Sequence, residues 1–219
     1  MRISAAAGWL VLLSGAMFWA AAQTPAVTYS RSFPGSNPVY FQIAVARDGH
    51  ARYEVREKTG EPLATLTFTA SPRAVGEIFA DVAALHDFAK PPLQSKLKVA
   101  YTGDKQLAYA DGSRHYVQHF TYTTRKRAAA LSNLFEAMSV TGVETVRLRR
   151  ALQYQPLDVL EIMDQIQRAW SAHQMAAPQL LEPTLEAALA NGGIMTAAQR
   201  RARRLLAEFA QAQKQAEMP

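Results

Sequence analysis

The sequence predicts an α+β protein: an antiparallel sheet of about six strands built from two β-β-β-α units, with helices on one face, followed by a helical C-terminal subdomain. Short segments alternate apolar and polar residues with a period of two, which is typical of strands that bury one face. Asp-Gly pairs and other turn residues separate these segments, which favours tight antiparallel hairpins. Segments with apolar residues at helical spacing follow each group of strands, which completes the pattern.

The first predicted unit lies between residues 40 and 85. Phe41, Ile43 and Val45 alternate with polar or small residues, and Asp48-Gly49 then marks a hairpin because both residues tolerate positive φ. Two more alternating segments follow, at 51–55 and 64–68. Ser71 and Pro72 fit the N-cap and the first position of a helix. That helix has one apolar side, formed by Val75, Ile78, Phe79, Val82 and Leu85.

The second predicted unit lies between residues 97 and 139. Its strands are expected at 97–101, 107–109 and 116–122, with turns at Gly103-Asp104-Lys105 and Asp111-Gly112. Thr123 or Thr124 is expected to cap a helix with an apolar stripe that includes Leu131 and Phe135. The two units are either a structural repeat or two generic hairpin-plus-helix units, and the sequence leaves both open.

Two segments flank these units. Residues 23–38 contain Pro25, Pro34 and Pro38 and predict an extended, partly disordered lead-in to the α+β domain at 39–140. After Thr141-Gly142 the pattern becomes helical, so residues 141–219 are expected to pack on that domain as a helical region. Its helices are expected at 143–152, from Pro156 onward, at 184–190 and from Thr196 onward.

The first 22 residues predict a signal peptide. Arg2 is their only charged residue, and the apolar segment after it ends in Ala20-Ala21-Ala22, the small residues that signal peptidase requires. Cleavage is therefore expected after Ala22. The alternative is an uncleaved anchor, since about 20 apolar residues can span a bilayer. No later segment is apolar enough, so no transmembrane span is expected in the mature chain.

The composition limits the cellular compartments in which the protein is expected to work. The chain has no cysteine, which excludes disulfides, thiolate metal sites and a lipid-modified cysteine. No Asn-x-Ser/Thr acceptor for glycans is present. An exported chain without disulfides is expected in the bacterial envelope, as a periplasmic or secreted protein.

Positive charge is the strongest compositional bias. The formal net charge is +6, and loss of Arg2 leaves +5. Outside the cytoplasm the anionic partners are phospholipid headgroups, lipopolysaccharide phosphates and acidic glycans, whereas nucleic acid is not expected. The candidate contacts with such an anionic surface lie in two runs: Arg125, Lys126 and Arg127, and Arg200, Arg201, Arg203 and Arg204. The alternative is a solvated helix face whose stripe of Leu205, Leu206 and Phe209 packs on the body. A third basic run lies at 147–150.

His115 and His119 have the spacing of a metal pair on a helix. The surrounding pattern predicts a strand, where four residues at about 3.3 Å each separate the two rings by about 13 Å. We therefore expect two exposed strand residues on the face opposite Tyr116 and Phe120. Tyr109, Tyr116 and Tyr122 could form an aromatic platform for sugars, but their alternation favours the sheet face beneath the helices.

The function predicted from these features is that of a non-catalytic binding or scaffolding module of the envelope, which contacts either an anionic surface or a partner protein of the envelope through its basic helices. No phosphate-binding loop, dinucleotide pattern or metal-ligand spacing is present, so no cofactor is expected. The alternative is an extracytoplasmic hydrolase with an unrecognised site. Its candidate groups are His86, Asp87 and the acidic row Asp158, Glu161 and Asp164, and it requires that they converge in one pocket.

Cleavage after Ala22 gives a direct prediction. Fractionation of cells that express the chain, followed by intact-mass measurement, should yield a protein that begins at Gln23 in the soluble envelope fraction. Recovery of the full-length chain, beginning at Met1, among cytosolic proteins would refute export.

Overall fold

The computed structural model describes residues 24–217 and has the α+β class that the sequence predicts. The six strands form one sheet in which all neighbours are antiparallel, in the order β4-β3-β2-β1-β5-β6. The strands are β1 (Ala26–Ser32), β2 (Tyr40–Ala46), β3 (His50–Arg56), β4 (Ala64–Thr69), β5 (Asp104–Asp111) and β6 (Arg114–Phe120). The helices are α1 (Pro72–Ala84), α2 (Lys126–Tyr154), α3 (Val159–Ser171), α4 (Glu182–Ala190) and α5 (Thr196–Glu217).

The prediction of a lead-in at 23–38 is wrong for residues 26–32, which form the central strand β1. Val27 and Tyr29 are fully buried and alternate with half-buried Thr28 and Ser30. All seven residues of β1 pair with β2 on one side and with β5 on the other. The prolines lie outside the strand, so they limit its length and do not interrupt it.

The predicted strand at 97–101 does not form. Its apolar residues Leu97, Val99 and Tyr101 are exposed, because β1 occupies the position between β2 and β5. Four strands therefore precede α1, and only two lie between α1 and α2. The prediction of two β-β-β-α units is wrong for this reason. The antiparallel sheet nevertheless follows from the same alternation in the segments that do pair.

The predicted β2–β3 hairpin and the predicted cap of α1 are confirmed, but the hairpin loop has three residues, 47–49, and of Asp48 and Gly49 only Gly49 has a positive φ. Gly49 has a φ of 91°, and the Asp48 carboxylate accepts a hydrogen bond from the backbone N–H of His50 at 3.0 Å. Ser71 caps α1 by accepting from the N–H of Ala74 at 3.2 Å. The predicted cap of the next helix is displaced: Thr123 accepts from the N–H of Arg125, and α2 begins after it.

Helices α1 and α2 pack on one face of the sheet, as predicted. The sheet side of this core contains Tyr29, Phe41, Ile43, Tyr53 and Leu107, and the helix side contains Ile78, Val82, Leu131, Phe135 and Met138. Side chains on the opposite face, such as Arg52, Thr67 and His119, remain exposed. The alternation of buried and exposed residues along each strand follows from this one-sided cover.

Helix α2 runs without a break through the boundary predicted at Thr141-Gly142. Its first half lies on the sheet, and its last turns join α3, α4 and α5 in a second apolar cluster. Gly142 is needed because the ring of Tyr53 lies against it: a Cβ at Gly142 would be 2.2 Å from Cε1 of Tyr53. The glycine therefore marks a close contact between helix and sheet and does not end a helix.

Substitution of Gly142 should report this contact. We expect Gly142→Ala to lower the free energy of unfolding by about 1–3 kcal/mol, because the buried Tyr53 ring must shift. The matched control is Gly76→Ala in α1, where a Cβ meets nothing within 4 Å. That change should stabilise by up to about 1 kcal/mol through helix propensity. Urea denaturation measures both, and equal effects at the two positions would contradict the close-contact explanation.

Candidate functional site

The first candidate surface is the solvent-facing side of α5. Ala198, Ala202, Leu205 and Phe209 are fully buried and pack α5 into the second apolar cluster. The helix therefore has the apolar stripe that the sequence predicts, and this stripe faces the body of the protein. The four arginines of the run lie outside this stripe, in the first turns of the helix.

Arg200 and Arg203 differ from the other two arginines of this run. Arg201 lies 2.9 Å from the Asp164 carboxylate of α3, and Arg204 lies 2.9 Å from Glu208 one turn along α5. Arg200 and Arg203 are exposed, and within residues 24–217 neither forms an ion pair or a side-chain hydrogen bond. Two guanidinium groups on this helix are thus free to meet an external anion.

In the second predicted group, at the start of α2, both arginines already have partners within the fold. Arg125 donates to the backbone carbonyl of Pro92 at 3.2 Å, and Arg127 pairs with Asp81 of α1 at 2.8 Å. Lys126 is exposed. About 20 residues of α2 separate this group from the cluster that holds α5, which is about 30 Å along the helix. The two basic groups therefore do not form one surface.

The third basic run is also internally paired. Arg147 contacts Glu144 at 2.8 Å, and Arg150 contacts Glu57 at 3.0 Å. Arg149 donates to the hydroxyl oxygen of Thr184 at 3.1 Å. Of the three runs, only the one on α5 leaves arginines with neither an ion pair nor a side-chain hydrogen bond among the described residues.

The groups proposed for a hydrolase do not converge. His86 is exposed, and Asp87 pairs with Arg114 of β6 at 3.3 Å. Asp158 and Glu161 are exposed at the start of α3, in the helical region. In the part of the chain that the structure describes, no group of three or more acidic or histidine side chains is arranged to hold a metal ion.

The histidines of β6 lie where the sequence places them. His115 pairs with Ala110 and His119 with Gln106 in the strand register, and both are exposed on the face without helices. Tyr109 and Tyr116 face each other across β5 and β6 on the helix side of the sheet. Tyr122 lies beyond the end of β6 and is exposed, so the three tyrosines do not form one platform.

Sequence reasoning missed a polar cleft of about 560 Å³ beside α2. Its walls are the β1–β2 loop, one side of α2 and the loop that follows α3. The main polar groups that line it are Arg31, Asn133, Glu136, Glu144 and His173. The available signal was Arg31 itself, which continues the buried alternation of Val27 and Tyr29 and therefore requires a partner under the helices.

An ion-pair network connects the cleft to the core. Tyr29 donates a hydrogen bond to one oxygen of Glu136 at 2.7 Å, and Arg31 lies 2.9 Å from the other oxygen. The guanidinium of Arg31 also stacks over the ring of Phe41, 5.1 Å from its centroid. Burial, with the neighbouring Glu136 carboxylate, holds the pKa of the Tyr29 hydroxyl well above its usual value. The hydroxyl therefore remains a proton donor to Glu136.

The second carboxyl of the cleft is partly withdrawn from solvent. Burial raises the pKa of Glu144, and the guanidinium of Arg147 acts in the opposite direction. Glu136 and Glu144 are eight residues apart on α2, which is about 12 Å. The cleft can offer hydrogen bonds to a polar molecule.

No protein-family model matches the chain, and no curated protein matches it. Among the helices within residues 24–217, none has both the length and the apolar composition that crossing a membrane requires.

The network around Glu136 predicts a stability effect. Glu136→Ala leaves Arg31 without its carboxylate, and the two side chains are only 28% and 19% exposed. We expect a loss of about 1–3 kcal/mol in the free energy of unfolding. The matched control is Glu77→Ala, which breaks an exposed pair with Arg73 and should cost about 0.5 kcal/mol or less. Similar losses in the two variants, measured by urea denaturation, would show that the Glu136 pair is not structural.

Proposed function

We propose that this chain is an exported bacterial envelope protein that acts as a non-catalytic binding module. In this proposal the solvent-facing side of α5 contacts an anionic surface in the periplasm or outside the cell. The predicted signal peptide and the absence of cysteine support the compartment. Export also removes nucleic acid from the available anions, which leaves phospholipids, lipopolysaccharide and acidic glycans.

The exposed arginines Arg200 and Arg203 carry the proposal. Each of the other arginines in the three basic runs already contacts a carboxylate or another oxygen within the fold. A basic side chain near an anionic membrane surface contributes about 1 kcal/mol to binding. Two such side chains contribute about 2 kcal/mol, which is about thirtyfold in affinity.

The hydrolase alternative has no specific observation in its favour. Its candidate residues lie on separate elements, with His86 and Asp87 beside β5 and β6 and the acidic row on α3. Asp164 of that row contacts Arg201 and so holds α5 against α3. We therefore do not assign an enzymatic reaction to these groups.

Neutralisation of the two arginines tests the proposal. We expect Arg200→Gln/Arg203→Gln to lose about thirtyfold in affinity for vesicles that contain phosphatidylglycerol, measured by co-sedimentation at low salt. Binding of the parent chain should weaken as salt is added, because salt screens exposed charges. The chain used begins at Gln23 and retains every described strand and helix.

The matched control removes the same charge elsewhere. Lys96→Gln/Lys98→Gln changes two exposed lysines in the segment before β5, away from α5. This control should bind like the parent chain. Equal losses in both double variants would indicate a response to net charge alone, and binding that is independent of salt would rule out the proposed contact.

A further inference from the structure

Two loops lie at the same end of the helical region. Residues 155–158 join α2 to α3, and residues 191–195 join α4 to α5. Helices α3 and α5 run side by side in the same direction, because successive residues of one meet successive residues of the other. The contacts are Asp164 with Arg201, Gln167 with Glu208 and Trp170 with Phe209. The beginnings of both helices, and the loops before them, are therefore neighbours.

This end of the helical region exposes large apolar side chains. Leu157 is 79% exposed and Tyr154 is 69% exposed, the two highest values for large hydrophobic residues among those described. Met195, in the neighbouring loop, is 42% exposed. We call these three residues the apolar tip. All three residues lie in or beside the two neighbouring loops, and exposed apolar residues that cluster at one end of a bundle are typical of a contact surface.

The charges around the apolar tip limit what can cover it. Arg200 and Arg203 follow Met195 by five and eight residues, so they lie about 8–12 Å along α5 from the loop. Neither has an acidic partner within residues 24–217. Two exposed acidic residues, Asp158 and Glu161, also lie at this end and reduce the attraction for an anion.

We propose that the apolar tip inserts into the surface of a lipid bilayer that contains anionic phospholipids. Leu157 and Met195 enter the boundary between headgroups and acyl chains, and Tyr154 lies at the level of the headgroups. Arg200 and Arg203 contact lipid phosphates from α5. Apolar residues beside unpaired basic residues are typical of proteins that lie in the membrane interface. This inference rests on the proposed function and selects lipid over glycan.

A glycan or a soluble acidic protein would bind the arginines through their charge and would not require the apolar tip. An acidic glycan offers charge and hydroxyl groups but no apolar phase for Leu157, whereas a bilayer offers both components that this end of the bundle presents. None of the described helices is long and apolar enough to cross a membrane. The contact that we propose is therefore a partial insertion from one side.

Substitution within the apolar tip separates lipid insertion from charge attraction. We expect Leu157→Ser/Met195→Ser to lose about tenfold in affinity for phosphatidylglycerol vesicles, at both low and high salt. The matched control is Leu97→Ser/Val99→Ser, which changes exposed apolar residues before β5 and should bind like the parent chain. Asp158→Asn/Glu161→Gln should bind more tightly at low salt.

A fluorescent reporter at the tip measures insertion directly. The chain that begins at Gln23 has one tryptophan, Trp170, so Leu157→Trp/Trp170→Phe places the only tryptophan, which can be excited apart from the tyrosines, in the tip. Its emission should shift to shorter wavelength on vesicles and be quenched by lipids with brominated acyl chains. If it is not quenched, or if the serine double variant binds like the parent chain, insertion is refuted. In that case, loss of binding in the Arg200/Arg203 variant would still support the proposed function.

Discussion

The continuity of helix α2 is the constraint on which the rest of the structure depends. Its first half packs Leu131 and Phe135 on the sheet, and its last turns place Leu148 and Ala151 in the cluster formed by α3, α4 and α5. A rigid helix of 29 residues is about 43 Å long, so it fixes the helical bundle at a set distance from the sheet. The approach of Gly142 to Tyr53 sets how closely this helix lies on the strands.

Strands and helices with uninterrupted local patterns could be predicted from the sequence. Asp48-Gly49 places the β2–β3 hairpin because Gly49 supplies the positive φ that closes the three-residue loop 47–49, and the flanking alternation then leaves one register. The central strand was missed because its alternation is short and lies between prolines. The prediction of a boundary at Thr141-Gly142 was wrong for a different reason. A glycine is needed at position 142 because the ring of Tyr53, which is 89 residues away in the chain, lies against it.

The candidate site was predictable to the extent that it follows helical periodicity. The apolar stripe of α5 predicts which side is buried, and hence that Arg200 and Arg203 face solvent. It does not predict that Asp164 pairs with Arg201, because that contact depends on how α3 lies against α5. The cleft beside α2 draws its residues from three distant segments, so the alternation that includes Arg31 indicates a buried charge but not which residues surround it. Tertiary packing alone brings Arg31 to Glu136.

The first strand of the chain lies inside the sheet, between β2 and the much later β5. A chain that emerges with its N-terminus first can form the β1–β4 meander through short hairpins while β5 is still to come. Throughout that interval the free side of β1 is an open edge with seven unpaired residues, available to any extended segment nearby. Closure requires β5, whose pairing joins Ala26 to Ala110 across a long loop. Until β5 pairs with it, β1 is therefore an edge strand that is open to incorrect pairing.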